Sequence, residues 1–184
     1  MHPENLPSHL GGHFYVTHLD IANLKYLKEK YKIETMIDIG CGPGDMIREA
    51  KKLGIEAEGI DGDFTLKFTD IPVVINDFTK SSYNFNKTFD LAWSVEFVEH
   101  VPKESIDNYM SVFKEAKYVL MTHSPFNTEY HFNVEPSSYW IELFESYGFI
   151  LLENETKYIR ENSSMEREFI RDYGHFFLNP DRLT

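Results

Sequence analysis

The feature that most constrains the fold is a glycine-rich stretch, Ile37-Asp38-Ile39-Gly40-Cys41-Gly42-Pro43-Gly44-Asp45. The apolar run at 36–39 has the length of a buried parallel strand, and the glycines that follow turn the backbone sharply. Asp45 precedes amphipathic spacing up to about residue 53 and is expected to be the N-cap of a helix. The stretch therefore predicts a strand, a glycine loop and a helix.

The spacing of the glycines indicates the kind of ligand that this loop holds. A dinucleotide fingerprint, Gly-x-Gly-x-x-Gly, would place its third glycine at Asp45, where a carboxylate repels a pyrophosphate. The observed Asp-x-Gly-x-Gly-x-Gly suits a cationic or zwitterionic nucleoside. It resembles motif I of the class I S-adenosylmethionine-dependent methyltransferases. The resemblance implies that Asp38, Gly40 and Gly42 lie beside the methionine part of that cofactor.

Alternating apolar runs and amphipathic segments predict an α/β fold. Strands are predicted at 36–39, 55–60, 71–75, 89–95, 118–122, 149–153 and 175–178, and helices at 17–31, 45–53, 103–117, 137–147 and 165–173. The resemblance implies that the last strand, 175–178, is the reversed seventh strand of the family. The expected architecture is a doubly wound, mostly parallel seven-stranded sheet of the Rossmann-like class I methyltransferase type. Residues 1–184 are interpreted as a single domain with an irregular arm (1–16), a capping helix (17–34) and an α/β core (35–184) containing an acceptor loop (123–136).

Further cofactor contacts are expected where the predicted strands end. Asp61, followed by Gly62, comes some twenty residues after the glycine loop, the position from which a carboxylate bonds ribose hydroxyls. The resemblance implies that Asp77 bonds the adenine amino group and that Phe78 packs on the ring. Ser94 ends the fourth strand. In a doubly wound sheet the carboxyl ends of the strands form the ligand-binding edge, so these residues are predicted to converge.

The segment after the fourth strand carries the most chemistry. It follows Phe-Asp-Leu, which is typical of motif IV in the same family, and places Glu96, Glu99 and His100 on one face of a helical turn. Glu-x-x-Glu-His here resembles the metal-binding motif of small-RNA 2′-O-methyltransferases and ubiquinone-pathway O-methyltransferases. The resemblance implies a divalent cation, Mg²⁺ or Mn²⁺, with His131 or His123 as a further ligand.

Two other interpretations of these histidines stay open. Without a metal, His100, His123 or His131 would be a general base for the acceptor hydroxyl. Alternatively, Glu-His after the fourth strand is widespread among class I methyltransferases, where the side chains cap or bridge elements around the cofactor. His13, Tyr15 and His18 are candidate pocket residues, while His2 and His9 are expected at the surface.

The function predicted from these patterns is S-adenosylmethionine-dependent O-methylation of a small polar acceptor such as a sugar or phenol. One alternative is metal-assisted 2′-O-methylation of an RNA end. Others are a nicotinamide-dependent oxidoreductase, which Asp45 disfavours, and a catalytically silent nucleoside-binding or scaffold protein. The acceptor and the oligomeric state are left open.

Composition limits the partners and the compartment. A net charge of −12 disfavours long nucleic acids, since phosphate backbones require clustered Lys and Arg. Basic residues between 157 and 171, including Arg167, alternate with acidic ones and are interpreted as a solvated helix face. A single cysteine, Cys41, no recognisable signal peptide, and no apolar run approaching about 18 residues favour a cytoplasmic protein without a membrane partner.

Overall fold

The computed structural model describes residues 6–10 and 12–183, and seven strands within them form one sheet. The strands are β1 (Thr35–Ile39), β2 (Glu56–Asp61), β3 (Val73–Ile75), β4 (Phe89–Ser94), β5 (Ala116–Met121), β6 (Ile150–Leu151) and β7 (His175–Leu178). Their order across the sheet is β3-β2-β1-β4-β5-β7-β6, and β7 alone runs antiparallel to its neighbours. The predicted doubly wound sheet with a reversed last strand is confirmed.

Helices cover both faces of this sheet. They are α1 (Ile21–Tyr31), α2 (Asp45–Lys52), α3 (Ile106–Phe113), α4 (Ser137–Ser146), α5 (Glu153–Glu161) and α6 (Phe169–Tyr173). Residues of α3 and α4 form one apolar core, and residues of α1, α2, α5 and α6 form the other. Phe176 and Phe177 of β7 belong to opposite cores because successive strand side chains point to opposite faces. Within the described residues, no helix has the length and apolarity needed to cross a bilayer.

The ends of several helices differ from the prediction. Helix α1 begins at Ile21 rather than at 17, because Asp20 is its N-cap and accepts a hydrogen bond from the Asn23 backbone N–H. Asp45 is the first residue of α2 and not its N-cap. That position belongs to Gly44 in a left-handed conformation, and the Asp45 carboxylate pairs with Arg48 instead.

The third helix is shorter than predicted. A 3₁₀ turn occupies Lys103–Ser105, and α3 then ends at Phe113 although the apolar spacing continues to about 117. Ala116 already pairs with Phe89 in the sheet, so interstrand hydrogen bonding outweighs helix propensity in this segment.

The carboxyl-terminal part of the described chain also differs. The predicted strand 149–153 shrinks to the two residues of β6, and Glu153 begins α5, which the sequence interpretation did not separate. The predicted helix 165–173 is present only as α6. Arg167 therefore lies in the loop between α5 and α6, not on a solvated helix face.

Candidate functional site

Two cavities meet at the carboxyl ends of β1 to β4. The larger, about 750 Å³, has the size typical of small-molecule sites, and the smaller, about 60 Å³, has room for only a few water molecules. The predicted cofactor residues Asp38, Gly40 and Gly42 line the larger cavity, while Gly40, Asp61, Gly62, Asp77 and Phe78 line the smaller one. The structure thus brings seven of the eight predicted cofactor residues to one edge of the sheet.

The glycine loop requires glycine for two separate reasons at Gly40. Its φ is +74°, and a Cβ there would lie 2.6 Å from the Phe97 ring. Gly42 has φ +49° and lies against His13 of the amino-terminal arm. A larger residue at either position would strain the backbone, and at Gly40 it would also clash with Phe97.

Two buried carboxyl groups lie side by side beneath the loop. Burial first, and then the negative charge of Asp61, raise the pKa of Asp38 to about 8. Burial likewise raises the pKa of Asp61. Neither carboxyl has a cationic side chain within ion-pair distance among the described residues. A cationic ligand fits this environment, since a nearby positive charge would stabilise the ionised carboxylates.

Asp77 has a different environment. Burial would raise its pKa, but hydrogen bonds from Thr79, Lys80 and His9 outweigh this effect and lower the pKa to about 2. Asp77 is therefore ionised at neutral pH. Phe78, its neighbour, is buried and packs edge-to-face against Phe97.

The amino-terminal arm lies across this edge. His9 Nε2 is 3.1 Å from Asp77 Oδ1, and His13 Nε2 is 3.1 Å from Asp63 Oδ2. Between these contacts, Leu10 covers Gly62. The expectation that His9 is a surface residue is wrong, because its partner Asp77 holds it over the small cavity. His2 lies outside the described residues.

An acid and two histidines form a cluster beside the larger cavity. One ligand atom from each of Glu99, His100 and His131 lies within 4.8 Å of the others. Glu99 is fully buried, and neither of its carboxylate oxygens has a hydrogen-bond partner among the described residues. Backbone N–H groups of Phe132 and Asn133 donate to the Glu99 carbonyl and hold the acceptor loop against this turn.

Both histidines of the cluster use Nδ1 for a hydrogen bond to a backbone carbonyl. Nδ1 of His100 lies 2.9 Å from the Tyr130 carbonyl, and Nδ1 of His131 lies 2.7 Å from the Phe126 carbonyl. A carbonyl only accepts, so Nδ1 donates and Nε2 keeps a free lone pair in the neutral ring. Burial lowers the pKa of His100 to about 4, which makes it neutral at physiological pH.

Glu96 stands beside this cluster at the mouth of both cavities. Its φ is +54°, and its carboxylate accepts a hydrogen bond from the Thr122 hydroxyl. Burial raises the pKa of Glu96 to about 7. Burial and then the Glu96 charge also raise the pKa of Glu99. A pair of carboxyl groups this close needs a shared proton or a cation.

Three of the predicted catalytic, cofactor and metal residues line neither cavity, namely Ser94, His123 and the fully buried Glu99. Ser94 is completely buried, and its hydroxyl donates to the Ile39 carbonyl inside the sheet. His123 is also buried, with Nε2 against the Ser137 hydroxyl and its ring stacked on His175. The structure therefore supports His131 rather than His123 as the histidine beside His100, and it gives Ser94 a structural position.

Arg167 and Phe169 also line the larger cavity, and the sequence interpretation missed both. His13 and His18 line it as expected, whereas Tyr15 does not. No local pattern marks Arg167, because its position depends on how the loop between α5 and α6 folds back over the sheet.

Comparisons with known proteins agree with this geometry. A family model described as a methyltransferase domain matches residues 37–124. A comparison with curated proteins gives no match. Among solved structures, a S-adenosylmethionine-dependent methyltransferase from Archaeoglobus fulgidus is 24% identical with a TM-score of 0.54, covering 71% of this chain and 67% of its own.

Two other solved structures share the fold at lower identity. The methyltransferase domain of bacterial CtHen1 is 14% identical with a TM-score of 0.59, covering 86% of this chain and 96% of its own. The plantazolicin methyltransferase BpumL, solved in complex with SAH, is 12% identical with a TM-score of 0.56, covering 86% and 80%. The matched domain extends over β1 to β5 and the glycine loop, so this chain carries a methyltransferase domain and shares its fold with S-adenosylmethionine-dependent methyltransferases.

Proposed function

We propose that this enzyme transfers the methyl group of S-adenosylmethionine to a hydroxyl oxygen of a small polar acceptor, such as a sugar or phenol. The observation that carries the proposal is the cluster of Glu99, His100 and His131 beside a cavity that the glycine loop also lines. The cluster and the loop enclose one space, so an acceptor oxygen and a bound cofactor can meet there.

The cofactor is assigned to the carboxyl edge of β1 to β3. Asp61 would accept hydrogen bonds from the ribose hydroxyls, and Asp77 with Phe78 would hold the adenine. The methionine part would lie along Gly40 and Gly42, where the backbone is open to the larger cavity.

A divalent cation, Mg²⁺ or Mn²⁺, fits the acid–histidine cluster. Glu99 has two buried oxygens without a partner, and the histidine Nε2 atoms have free lone pairs, so these groups match a hard cation with mixed oxygen and nitrogen ligands. Glu96, the fourth ligand expected from the sequence, lies beside the Glu99 carboxyl but is not a member of the cluster of ligand atoms within 4.8 Å. A cation held there would lower the pKa of the acceptor hydroxyl and orient it.

Without a cation, the same residues would still supply a base. Methyl transfer forms an oxygen–carbon bond while the carbon–sulfur bond of the sulfonium breaks, and the hydroxyl proton passes to a nearby group. Neutral His100 can accept that proton at Nε2. A cation would stabilise Glu96 and Glu99 in their ionised forms, whereas without it burial and the repulsion between the two carboxylates keep a proton on the pair.

An RNA-end 2′-O-methyltransferase is the second candidate. The Glu-x-x-Glu-His motif and the shared fold with the CtHen1 methyltransferase domain favour it. The net charge of −12 opposes it, although a short end needs few phosphate contacts.

The test measures binding and methyl transfer separately. Calorimetric titration with S-adenosylmethionine is run with a chelator and then with Mg²⁺ or Mn²⁺, using Glu99→Gln to remove the proposed ligand. Radiolabelled methyl transfer to phenols, sugars and short RNA ends then identifies the acceptor.

We expect cofactor binding in every condition, and methyl transfer that requires metal and is lost in Glu99→Gln. Transfer that persists in chelator but is lost in His100→Asn would replace the cation with a histidine base. Cofactor binding without transfer to any acceptor would favour a silent nucleoside-binding protein. Transfer to RNA alone would overturn the small acceptor.

A further inference from the structure

Arg167 is an exposed residue that lines the larger cavity. Its guanidinium lies 5.7 Å from the centre of the Phe169 ring, and both side chains line the cavity. The ring of Phe169 is in turn in edge-to-face contact with His18. The planar guanidinium is therefore oriented by an aromatic face on one side of the space that is assigned to the acceptor.

The acidic neighbours of Arg167 are engaged elsewhere. Glu166 pairs with His18, and Glu168 pairs with Arg171 through two contacts. Among the described residues, no carboxylate lies within 4.0 Å of the Arg167 guanidinium. In a chain with 30 acidic and 18 basic residues, an arginine without an ion pair in a cavity wall leaves its hydrogen-bond donors available.

The electrostatics of the cavity give this arginine a particular role. It is the one Lys or Arg among the described residues that line the larger cavity. His100 and His131, where the acceptor hydroxyl is assigned, line the same cavity. An acceptor with a negative group at one end and a hydroxyl at the other would reach from Arg167 to these histidines.

We propose that the acceptor carries an anionic group, a carboxylate or a phosphate, which Arg167 binds in front of Phe169 while the acceptor hydroxyl lies at His100 and His131. The inference rests on the proposed function and adds the chemical class of the acceptor. A guanidinium fork matches the two oxygens of either anion, and a single arginine suits one anionic group rather than a polyanionic strand.

The experiment compares paired ligands that differ only in the anion. Protocatechuic acid is paired with its neutral amide, and a hexose phosphate with the free hexose, which separates a carboxylate source from a phosphate source. Binding of each probe is measured by calorimetry on the protein saturated with S-adenosylhomocysteine, so this readout does not depend on methyl transfer. KM and kcat are then measured for any probe that is methylated.

Three variants separate the roles of charge and geometry. Arg167→Gln removes the charge, and Arg167→Lys keeps the charge without the planar fork. Lys157→Gln removes a positive charge from α5 at a side chain that is 76% exposed and outside the cavity, and is the matched control.

For the wild type we expect the anionic member of at least one pair to bind about 10- to 100-fold more tightly than the neutral member. Arg167→Gln should remove this preference, Arg167→Lys should keep part of it, and Lys157→Gln should keep all of it. KM for the anionic acceptor should rise in Arg167→Gln while kcat and the affinity for S-adenosylmethionine stay unchanged.

Several results would overturn the proposal. One is that the wild type binds no anionic probe, and another is that the preference for the anion survives in Arg167→Gln. A third is a loss of S-adenosylmethionine affinity in Arg167→Gln, which would assign the arginine to the cofactor carboxylate. Methylation of RNA ends that is insensitive to Arg167→Gln would also overturn it. If an anion binds through Arg167 but no hydroxyl is methylated, the anion site stands and the proposed O-methylation fails.

Discussion

The backbone N–H of Gly42 donates a hydrogen bond to Oδ2 of Asp61 across 2.8 Å, which joins the glycine loop after β1 to the end of β2. Oδ1 of the same carboxylate accepts from the Asp63 backbone N–H, also at 2.8 Å. Each oxygen thus has one protein donor and one remaining lone pair on the side of the small cavity. Asp61 both shapes the loop and remains able to accept from a ribose.

Asp61→Asn should therefore weaken S-adenosylmethionine binding about 10- to 100-fold, because an amide keeps one acceptor oxygen and presents an N–H₂ toward a donor. Calorimetry measures the change. Asp70→Asn, at an exposed carboxylate that pairs with Arg48, is the matched control and should bind normally. Equal affinities in the two variants would contradict the ribose assignment.

Gly40 and Gly54 have nearly the same φ but differ in the space around them. Alanine substitutions at the two positions therefore separate the effect of backbone strain from the effect of crowding. Gly40 has φ +74° and would place a Cβ 2.6 Å from Phe97, whereas Gly54 has φ +75° and open space. Gly54→Ala should lower the free energy of unfolding by about 1 kcal/mol from strain alone, and Gly40→Ala by more. Chemical denaturation measures both values.

Only Gly40→Ala should also weaken cofactor binding, because Phe97, which packs against the glycine loop, would have to move away from residue 40. A Gly40→Ala protein that is as stable as Gly54→Ala and binds the cofactor normally would show that the loop adapts to a side chain.

The raised pKa of Asp38 predicts a pH dependence of stability. The folded protein keeps this proton up to a pH of about 8, whereas the unfolded chain releases it near the ordinary Asp pKa of 3.8. The folded state therefore binds more protons in this window, and the free energy of unfolding should fall as pH rises through it. Asp38→Asn removes this contribution.

Between pH 5 and 7.5, the free energy of unfolding of the wild type should therefore fall by at least about 1 kcal/mol relative to that of Asp38→Asn. Denaturant titrations at several pH values measure it. Taking the difference cancels the contributions of Glu96 and His100. Parallel stability curves would mean that Asp38 is ionised in the folded protein.

The position of the amino-terminal arm over the small cavity should affect the rate at which the cofactor binds. The small cavity has too little room for a nucleoside while Leu10 covers Gly62, so the arm must move when the cofactor enters. His9→Ala removes a contact between the arm and Asp77. It should raise the association rate of S-adenosylmethionine about 2- to 10-fold, because the arm would be displaced from the small cavity in a larger fraction of the molecules.

Stopped-flow fluorescence measures this rate. Lys80→Ala removes another partner of Asp77, at 3.0 Å, without touching the arm and should leave the rate unchanged. A slower association in His9→Ala would show that the arm takes part in capturing the cofactor.

The sequence predicts the parts of the site that depend on local backbone chemistry. Glycine positions and carboxylates at strand ends define the loop, Asp61 and Asp77, because strand ends in a parallel sheet meet at one edge. It does not predict which way a side chain at a strand end points. Ser94 ends β4 and His123 lies two residues after β5, yet both side chains are buried in the interior.

Long-range placement is the other part that local patterns leave undetermined. His9 and Arg167 reach the cavities from segments that precede and follow the matched methyltransferase domain. The sequence around each of these two residues is rich in polar or acidic residues, as it is for residues on an exposed surface. Only the path of the arm and of the α5–α6 loop over the sheet distinguishes them.

The insertion of β7 between β5 and β6 sets an order for folding. In the described part of the chain, β6 pairs with β7 alone, and β7 begins at His175, 24 positions after the last residue of β6, Leu151. The five strands from β3 to β5 can join using neighbours that are already synthesised, but β6 has no partner until β7 arrives. We therefore expect the half of the sheet that carries the cofactor edge to form first, with the β7 and β6 half docking in a later, slower step.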